Sequence, residues 1–285
     1  MNSKIALRVL CLSLVAAVGL VVTHSPAAEE AKEVRLYTMD CGRAELKDMS
    51  MFSDTGEYDG KSGAIAVSCF LIRHPKGILL WDTGMGDKMA EKPEGVDSGV
   101  IHMTVPVTLV SQLKALGLTP ADVTYVAFSH LHFDHTSNAN LFGSSTWILN
   151  QTELNWALSS PTPSGVNPAS FSTYKTAKTQ MIDGDYDVFG DRSVRILRAP
   201  GHTPGHQVLE IQLQKSGTVI LSGDLYHLRQ NYEYHRIPDF NYNRADTLAS
   251  MERIAKIISN TKARLVVQHD LGDFQALPKF PAFLD

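Results

Sequence analysis

The sequence predicts an α/β fold of two mixed β-sheets flanked by helices, and three observations predict it. Short apolar runs bounded by turn residues dominate the first part of the chain. Helical apolar spacing interleaves with strands later. Several strand-like runs end directly in a His or an Asp. Residues 34–38 read as the first strand, and residues 40–62, polar with Gly42, Gly56 and Gly60, read as a long loop. An apolar run at 65–72 continues into a hairpin whose strands, 69–72 and 78–81, flank the turn sequence His74-Pro75-Lys76-Gly77. Residues 106–116 have helical spacing and stop at Gly117. A short buried strand is expected at 124–129, another at 146–149, and a helix at 151–158. Residues 159–170, rich in Pro and Ser, read as an exposed loop. Strands follow at 193–197, 207–213, 217–222 and 264–268. Between the last two lies an amphipathic helix, 245–258, with Leu248, Met251, Ile254, Ala255 and Ile258 on one face.

Lys4 and Arg8 precede an apolar run at 9–22, and the small residues Ser25, Ala27 and Ala28 follow it. This reads as a secretory signal peptide cleaved near Ala27 or Ala28, so the expected organisation is a leader at 1–28 and a single domain at 29–285. The apolar run is short for a membrane span, though an uncleaved anchor stays open. The expected location is periplasmic or secreted. Cleavage removes Lys4 and Arg8 and no acidic residue, so the net charge of −4 becomes −6, with 24 basic against 30 acidic residues. That balance argues against a nucleic-acid partner, which needs a basic surface. Two cysteines, Cys41 and Cys69, remain after the leader. They could pair in an oxidising compartment, but two cysteines give no pattern and the sequence reading favours free, buried thiols.

The chemistry is concentrated in Ser129-His130-Leu131-His132-Phe133-Asp134-His135. Regular backbone cannot turn His130, His132, Asp134 and His135 toward one point, so the segment is expected to be a loop wrapped around an ion. Three more candidate ligands follow at the exits of apolar runs: His202, Asp224 and His269. The total is five imidazoles and two carboxylates. A closed structural zinc site needs four protein ligands, and a catalytic one needs three plus water. Seven groups suit two divalent ions that share a bridging carboxylate. Imidazole and carboxylate make zinc the first expectation, with iron, manganese or cobalt compatible.

His130-x-His132-x-Asp134-His135 followed by His202, Asp224 and His269 resembles the metallo-β-lactamase superfamily across essentially the whole chain after the leader. The resemblance implies an αβ/βα sandwich with metals at one edge. It also implies that His130, His132 and His202 bind one ion, that Asp134, His135 and His269 bind the other, and that Asp224 bridges. Asp82-Thr83-Gly84 is similar to the family's early Asp-x-Gly turn, which gives Asp82 a role in orienting ligands. His206 is expected to buttress the site in the same way. The β-lactamases of the superfamily generally lack the bridging carboxylate, so Asp224 points to the lactonase, thioesterase and phosphotriesterase branches. Only 16 residues follow His269 (285 − 269), too few for a thioesterase's helical domain.

Gly223-Asp224-Leu225-Tyr226-His227, Phe240-Asn241-Tyr242-Asn243 and Val267-Gln268-His269-Asp270 most resemble the N-acyl homoserine lactonases. The resemblance implies opening of a lactone ring by a hydroxide that bridges the metals, with Asp134 orienting the nucleophile. An exported β-lactamase or phosphotriesterase is the alternative, and a metal-binding protein on a retired hydrolase fold is the non-enzyme reading. There is one departure. The family's tyrosine three residues after the bridging Asp is His227 here, with Tyr226 one position earlier; either could stabilise the developing oxyanion. Met49, Met51 and Phe52, with Tyr58, Phe142 and Phe171, are candidates for an acyl groove. The expected partner is a small lactone, with no nucleic acid and no lasting membrane insertion after cleavage; assembly as a homodimer stays open.

Overall fold

In the computed structural model residues 33–285 are described, and the expected leader at 1–28 lies outside them. The described strands are β1 (Arg35–Leu46), β2 (Gly63–His74), β3 (Gly77–Trp81), β4 (Val96–Ser98), β5 (Ile101–Thr104), β6 (Tyr125–Ala127), β7 (Thr146–Asn150), β8 (Lys178–Ile182), β9 (Tyr186–Asp187), β10 (Val194–Arg198), β11 (Gln207–Leu213), β12 (Gly217–Leu221), β13 (Arg264–Val266) and β14 (Phe283–Leu284). The helices are α1 (Leu109–Ala115), α2 (Phe133–Thr136), α3 (Gln151–Ala157), α4 (Arg229–Tyr234), α5 (Arg244–Thr261) and α6 (Leu271–Ala276). One sheet runs β4-β5-β1-β2-β3-β6-β7-β8 with β14 added against β1; the other runs β13-β12-β11-β10-β9. Both are mixed. β3, β6, β7 and β8 are parallel, as are β12 and β13, and the other pairs are antiparallel.

Alternation along the strands builds the sandwich. In β2, Phe70 and Ile72 join Leu209 and Ile211 of β11 and Val219 and Leu221 of β12 in a core between the sheets. Cys69 and Leu71 point the other way, into a second core under α1 and α3. Val208 and Ile220 face outward from the second sheet and pack against Met251 and Ile254 of α5. Phe70 is fully buried, so Phe70→Ala costs about 3–5 kcal/mol. The C-terminal ends of β3, β6 and β7 open toward the C-terminal ends of β10, β12 and β13. That shared edge is where loop residues can converge.

The structure corrects four expectations. β1 does not stop at 38 but runs to Leu46; past a register shift between Asp40 and Arg43, exposed Arg43 and Glu45 alternate with buried Ala44 and Leu46. Cys41 and Cys69 are not free thiols but a disulfide with a Cα separation of 5.8 Å, because the same irregularity swings Cys41 of β1 beside Cys69 of β2. The metal-motif segment is a loop only as far as His132, after which α2 makes one helical turn carrying Asp134 and His135. Leu248 of α5 is solvent-exposed, and the buried stripe is Thr247, Ser250, Met251 and Ile254.

Candidate metal centre

Each candidate ligand leaves the sandwich at a strand end. His130 and His132 follow β6, and Asp134 and His135 stand on α2 directly after. His202 follows β10, Asp224 follows β12 and His269 follows β13. Gly223 allows the tight exit from β12. Its φ is +50°, and a Cβ there would fall 2.6 Å from His206 Nε2.

The seven side chains form two groups, His130, His132 and His202 with Asp224, and Asp134, His135 and His269. In the first, His130 Nε2 lies 2.8 Å from His132 Nδ1, and His202 Nε2 lies 3.2 Å and 3.1 Å from those two atoms. Asp224 divides between the groups. Its Oδ2 is 3.8 Å from His130 Nε2 and 3.5 Å from His202 Nε2, while its Oδ1 is 3.1 Å from both His135 Nε2 and His269 Nε2. Asp134 Oδ2 lies 3.7 Å from His135 Nε2 and 3.6 Å from His269 Nε2.

The outer nitrogens are held elsewhere. His202 Nδ1 donates to Asn241 Oδ1 at 3.0 Å, His135 Nδ1 donates to Asp82 Oδ2 at 3.0 Å, and His269 Nδ1 donates to the Ala66 carbonyl at 2.6 Å. Those bonds leave a lone pair on each inner nitrogen. The inner nitrogens of His130, His132 and His202 face one another within 3.2 Å, an arrangement of neutral imidazoles that a cation reconciles, and His135 Nε2, His269 Nε2 and Asp224 Oδ1 converge in the same way beside Asp134. The donor set therefore fits divalent metal.

Electrostatics separates the groups. Burial pushes His130 and His202 well below the ordinary imidazole value, and His132 down to about 4. Burial also opposes charge on His135 and His269, but the Asp224 and Asp134 carboxylates beside them raise both above that value. Asp224 is buried, which favours its neutral form, yet the imidazoles of His269, His135, His130 and His227 hold it well below the usual carboxylate range.

Asp82, at the end of β3, supports the site from both sheets. Its backbone is left-handed at φ +59°. Its Oδ1 accepts the Ser129 N–H at 2.7 Å, and its Oδ2 accepts from Gln268 Nε2 at 2.9 Å. Gln268 Oε1 in turn accepts from the Trp81 indole at 3.0 Å and from the Gly223 N–H at 2.8 Å. His206 Nε2 accepts the Asp224 N–H at 2.9 Å, and burial keeps this imidazole neutral with a pKa of about 4.

A cavity of about 240 Å³ opens beside Asp134, Asp224 and His269. Its walls include Ala44, Leu46, Ile65, Met85, Ile101, Met103, Phe133 and Phe240. Of the side chains proposed for an acyl groove, Met51 and Phe52 line it. Met49 packs in the core against Gly63 instead, and Tyr58, Phe142 and Phe171 are buried away from it. His227 lines the cavity, with Nε2 3.0 Å from Asp224 Oδ2 and its ring between Phe52 and Phe240. Tyr226 does not. Its backbone is extended, so it faces opposite to His227, into the core between the second sheet and α5, where its hydroxyl donates to the Met251 carbonyl at 3.4 Å.

The sequence reading missed Glu153, Asn241 as a partner of His202, and Gln268 as the link between the sheets. Glu153 is buried on α3, and burial pushes its carboxyl up to about 7. A lone acidic residue early in a helix carries no sequence mark that separates it from an ordinary exposed one.

A sandwich whose edge gathers imidazoles and carboxylates beside an apolar cavity defines a metal-dependent hydrolase. The chain belongs to the Metallo-beta-lactamase superfamily, whose family model matches residues 62–269. It is 31% identical over 266 residues to the N-acyl homoserine lactonase AttM of Azorhizobium caulinodans, covering 89% of this chain and 99% of that one. It is similar in structure to an N-acyl homoserine lactone hydrolase with N-hexanoyl-L-homoserine bound at its catalytic metal center (TM-score 0.75, 29% identity, 87% of this chain and 98% of that one). It is also similar to a variant of AiiA from B. thuringiensis with N-decanoyl-L-homoserine at its active site (TM-score 0.77, 28% identity, 87% and 98% covered).

Proposed function

We propose that the protein opens the lactone ring of N-acyl homoserine lactones, as a quorum-quenching lactonase that uses two divalent ions, zinc first. The observation that carries this reading is Asp224, whose two oxygens divide between the histidine groups at the mouth of an apolar cavity. The activities of the relatives support it. When bound, the ions would polarise the substrate carbonyl and bring the pKa of a water toward neutrality. His130, His132 and His202 would hold one, Asp134, His135 and His269 the other, with Asp224 between them.

The side chains supply the rest. Asp134 is the more exposed of the two carboxylates, its side chain 16% accessible against 5% for Asp224. It orients the attacking water and accepts its proton. His227 donates from its imidazole to the oxygen on which charge develops as the ring opens, a contribution of about 3–4 kcal/mol in well-studied donors. Met51, Phe52, Phe240, Ile101 and Met103 receive the acyl chain and exclude water. We further propose export of a single domain, 29–285. The Cys41–Cys69 disulfide supports an oxidising compartment.

The test is proton release from a medium-chain N-acyl homoserine lactone by purified, metal-quantified protein. Rapid ring opening with two ions per chain is the expected result. Metal-loaded protein that leaves the lactone intact but turns over a nitrocefin-type lactam or an aryl phosphotriester would overturn the substrate assignment.

A further inference from the structure

The three-imidazole group is assembled from two separate loops, one carrying His130 and His132 and the other carrying His202. One buried side chain ties together the two segments that lie between the ligands. Glu153 stands on the first turn of α3, 3% exposed. Its Oε1 accepts the N–H of Leu131, the residue between His130 and His132, at 2.9 Å. Its Oε2 accepts the N–H of Gly205, in the turn that begins at His202, at 3.0 Å. Asn150, the N-cap of α3, fixes the helix start by accepting the Glu153 N–H at 3.0 Å. The second loop is pressed onto that start, because a Cβ on Gly205 would collide with the Glu153 backbone nitrogen and with Asn150 Oδ1. The other backbone and amide ties come from Gln207, whose N–H donates to the Ser129 carbonyl at 2.8 Å and whose Nε2 donates to the Phe128 carbonyl at 3.1 Å, both outside the segment between the ligands. Glu153 makes no hydrogen bond to any of the three imidazoles, and the second group has a carboxylate tie of its own in Asp82, which accepts from Ser129, His135 and Gln268.

We propose that Glu153 is a positioning residue for the three-imidazole group: by accepting from Leu131 and Gly205 together, it sets the spacing of His130, His132 and His202 and so the metal affinity of that group alone. The proposal rests on the reading that both groups bind metal. A carboxyl group that receives one backbone donor on each oxygen fixes the two donors relative to each other. Partners of this kind one layer behind the ligands govern metal affinity by roughly ten- to a hundredfold. In Glu153→Gln one oxygen remains to accept from Leu131, while the amide nitrogen opposes the Gly205 N–H. The variant keeps the shape of the side chain and loses one of the two ties.

The experiment measures zinc affinity by chelator competition in two backgrounds. His269→Ala isolates the three-imidazole group, and His132→Ala isolates the other. Glu153→Gln is expected to weaken zinc about ten- to a hundredfold in the first background and to leave the second unchanged, with Glu153→Ala weaker still in the first. The melting temperature of the metal-free protein is followed alongside. Equal weakening in both backgrounds with a parallel fall in melting temperature would mean a purely structural role, and so would failure of Glu153→Gln to fold; either overturns the proposal. Unchanged affinity in both backgrounds overturns it as well. If the unsubstituted protein itself takes up no zinc, the metal reading fails first, which separates that failure from a failure of the inference.

Discussion

His130, His132 and His202 face one another beside a single carboxylate, Asp224, whereas His135 and His269 have Asp134 as well as an oxygen of Asp224. All five imidazoles are equally well packed, except that His132 is half-buried. The groups therefore differ in charge more than in burial. Burial, assisted by the neighbouring imidazoles, strips protons from the first. In the second, carboxylates reverse that tendency and favour protonated imidazoles when no metal is present. One group is a neutral cage waiting for a cation. The other holds a proton that a cation must displace. Asp224 is the only residue common to both, and it has one oxygen for each.

Removing that shared charge is the most severe way to break the comparison. Asp224→Asn is expected to lower kcat/KM by several kcal/mol, on the order of a thousandfold, and to reduce bound metal, checked by steady-state kinetics with elemental analysis. Retention of both ions with full turnover would show that the groups work independently.

Acid should sharpen the difference. His135 and His269 have raised pKa values, so metal binding there releases protons and weakens as the pH falls through those values. His132, held at about 4, meets proton competition only near that pH. Dialysis from about pH 8 toward about pH 5 should first empty the second group and spare the first. Metal content and the ring-proton NMR signals of His202 report which ion leaves, and simultaneous loss of both would contradict the contrast.

The smallest expected effects come from the outer partners. Asp82→Asn weakens the acceptor for His135 Nδ1, and Asn241→Ala removes the acceptor for His202 Nδ1. Each is expected to cost roughly ten- to a hundredfold in metal affinity, the first in the group of His135 and the second in the group of His202. Isothermal titration with zinc resolves the two. Crossed effects would mean that the supports are shared.

The ligands were legible because of where they sit. Four of them fall within six residues, and His202, Asp224 and His269 each terminate an apolar run, so the exit of a strand marks them. Their supports were not legible. Gln268 gains its role only when Trp81 and Gly223 from different sheets arrive at the same amide, and Glu153 only when two loops fold over α3. The disulfide was missed for a similar reason, since a local irregularity in β1 rather than the spacing of Cys41 and Cys69 brings the sulfurs together. The second half of β1 did carry a signal. Arg43-Ala44-Glu45-Leu46 alternates with period two, and it was masked by Gly42 and the polar residues after it; Ala44 and Leu46 turn out to wall the cavity.

The order of the ligands along the chain links metal capture to the course of folding. The three-imidazole group is complete once the polypeptide has passed His202, but the second group needs His269, which arrives only when β13 aligns beside β12. Such long-range parallel pairing is among the slower events in folding a domain. During refolding in the presence of zinc, uptake should therefore be biphasic, and its late phase would time the docking of the final strand of the second sheet.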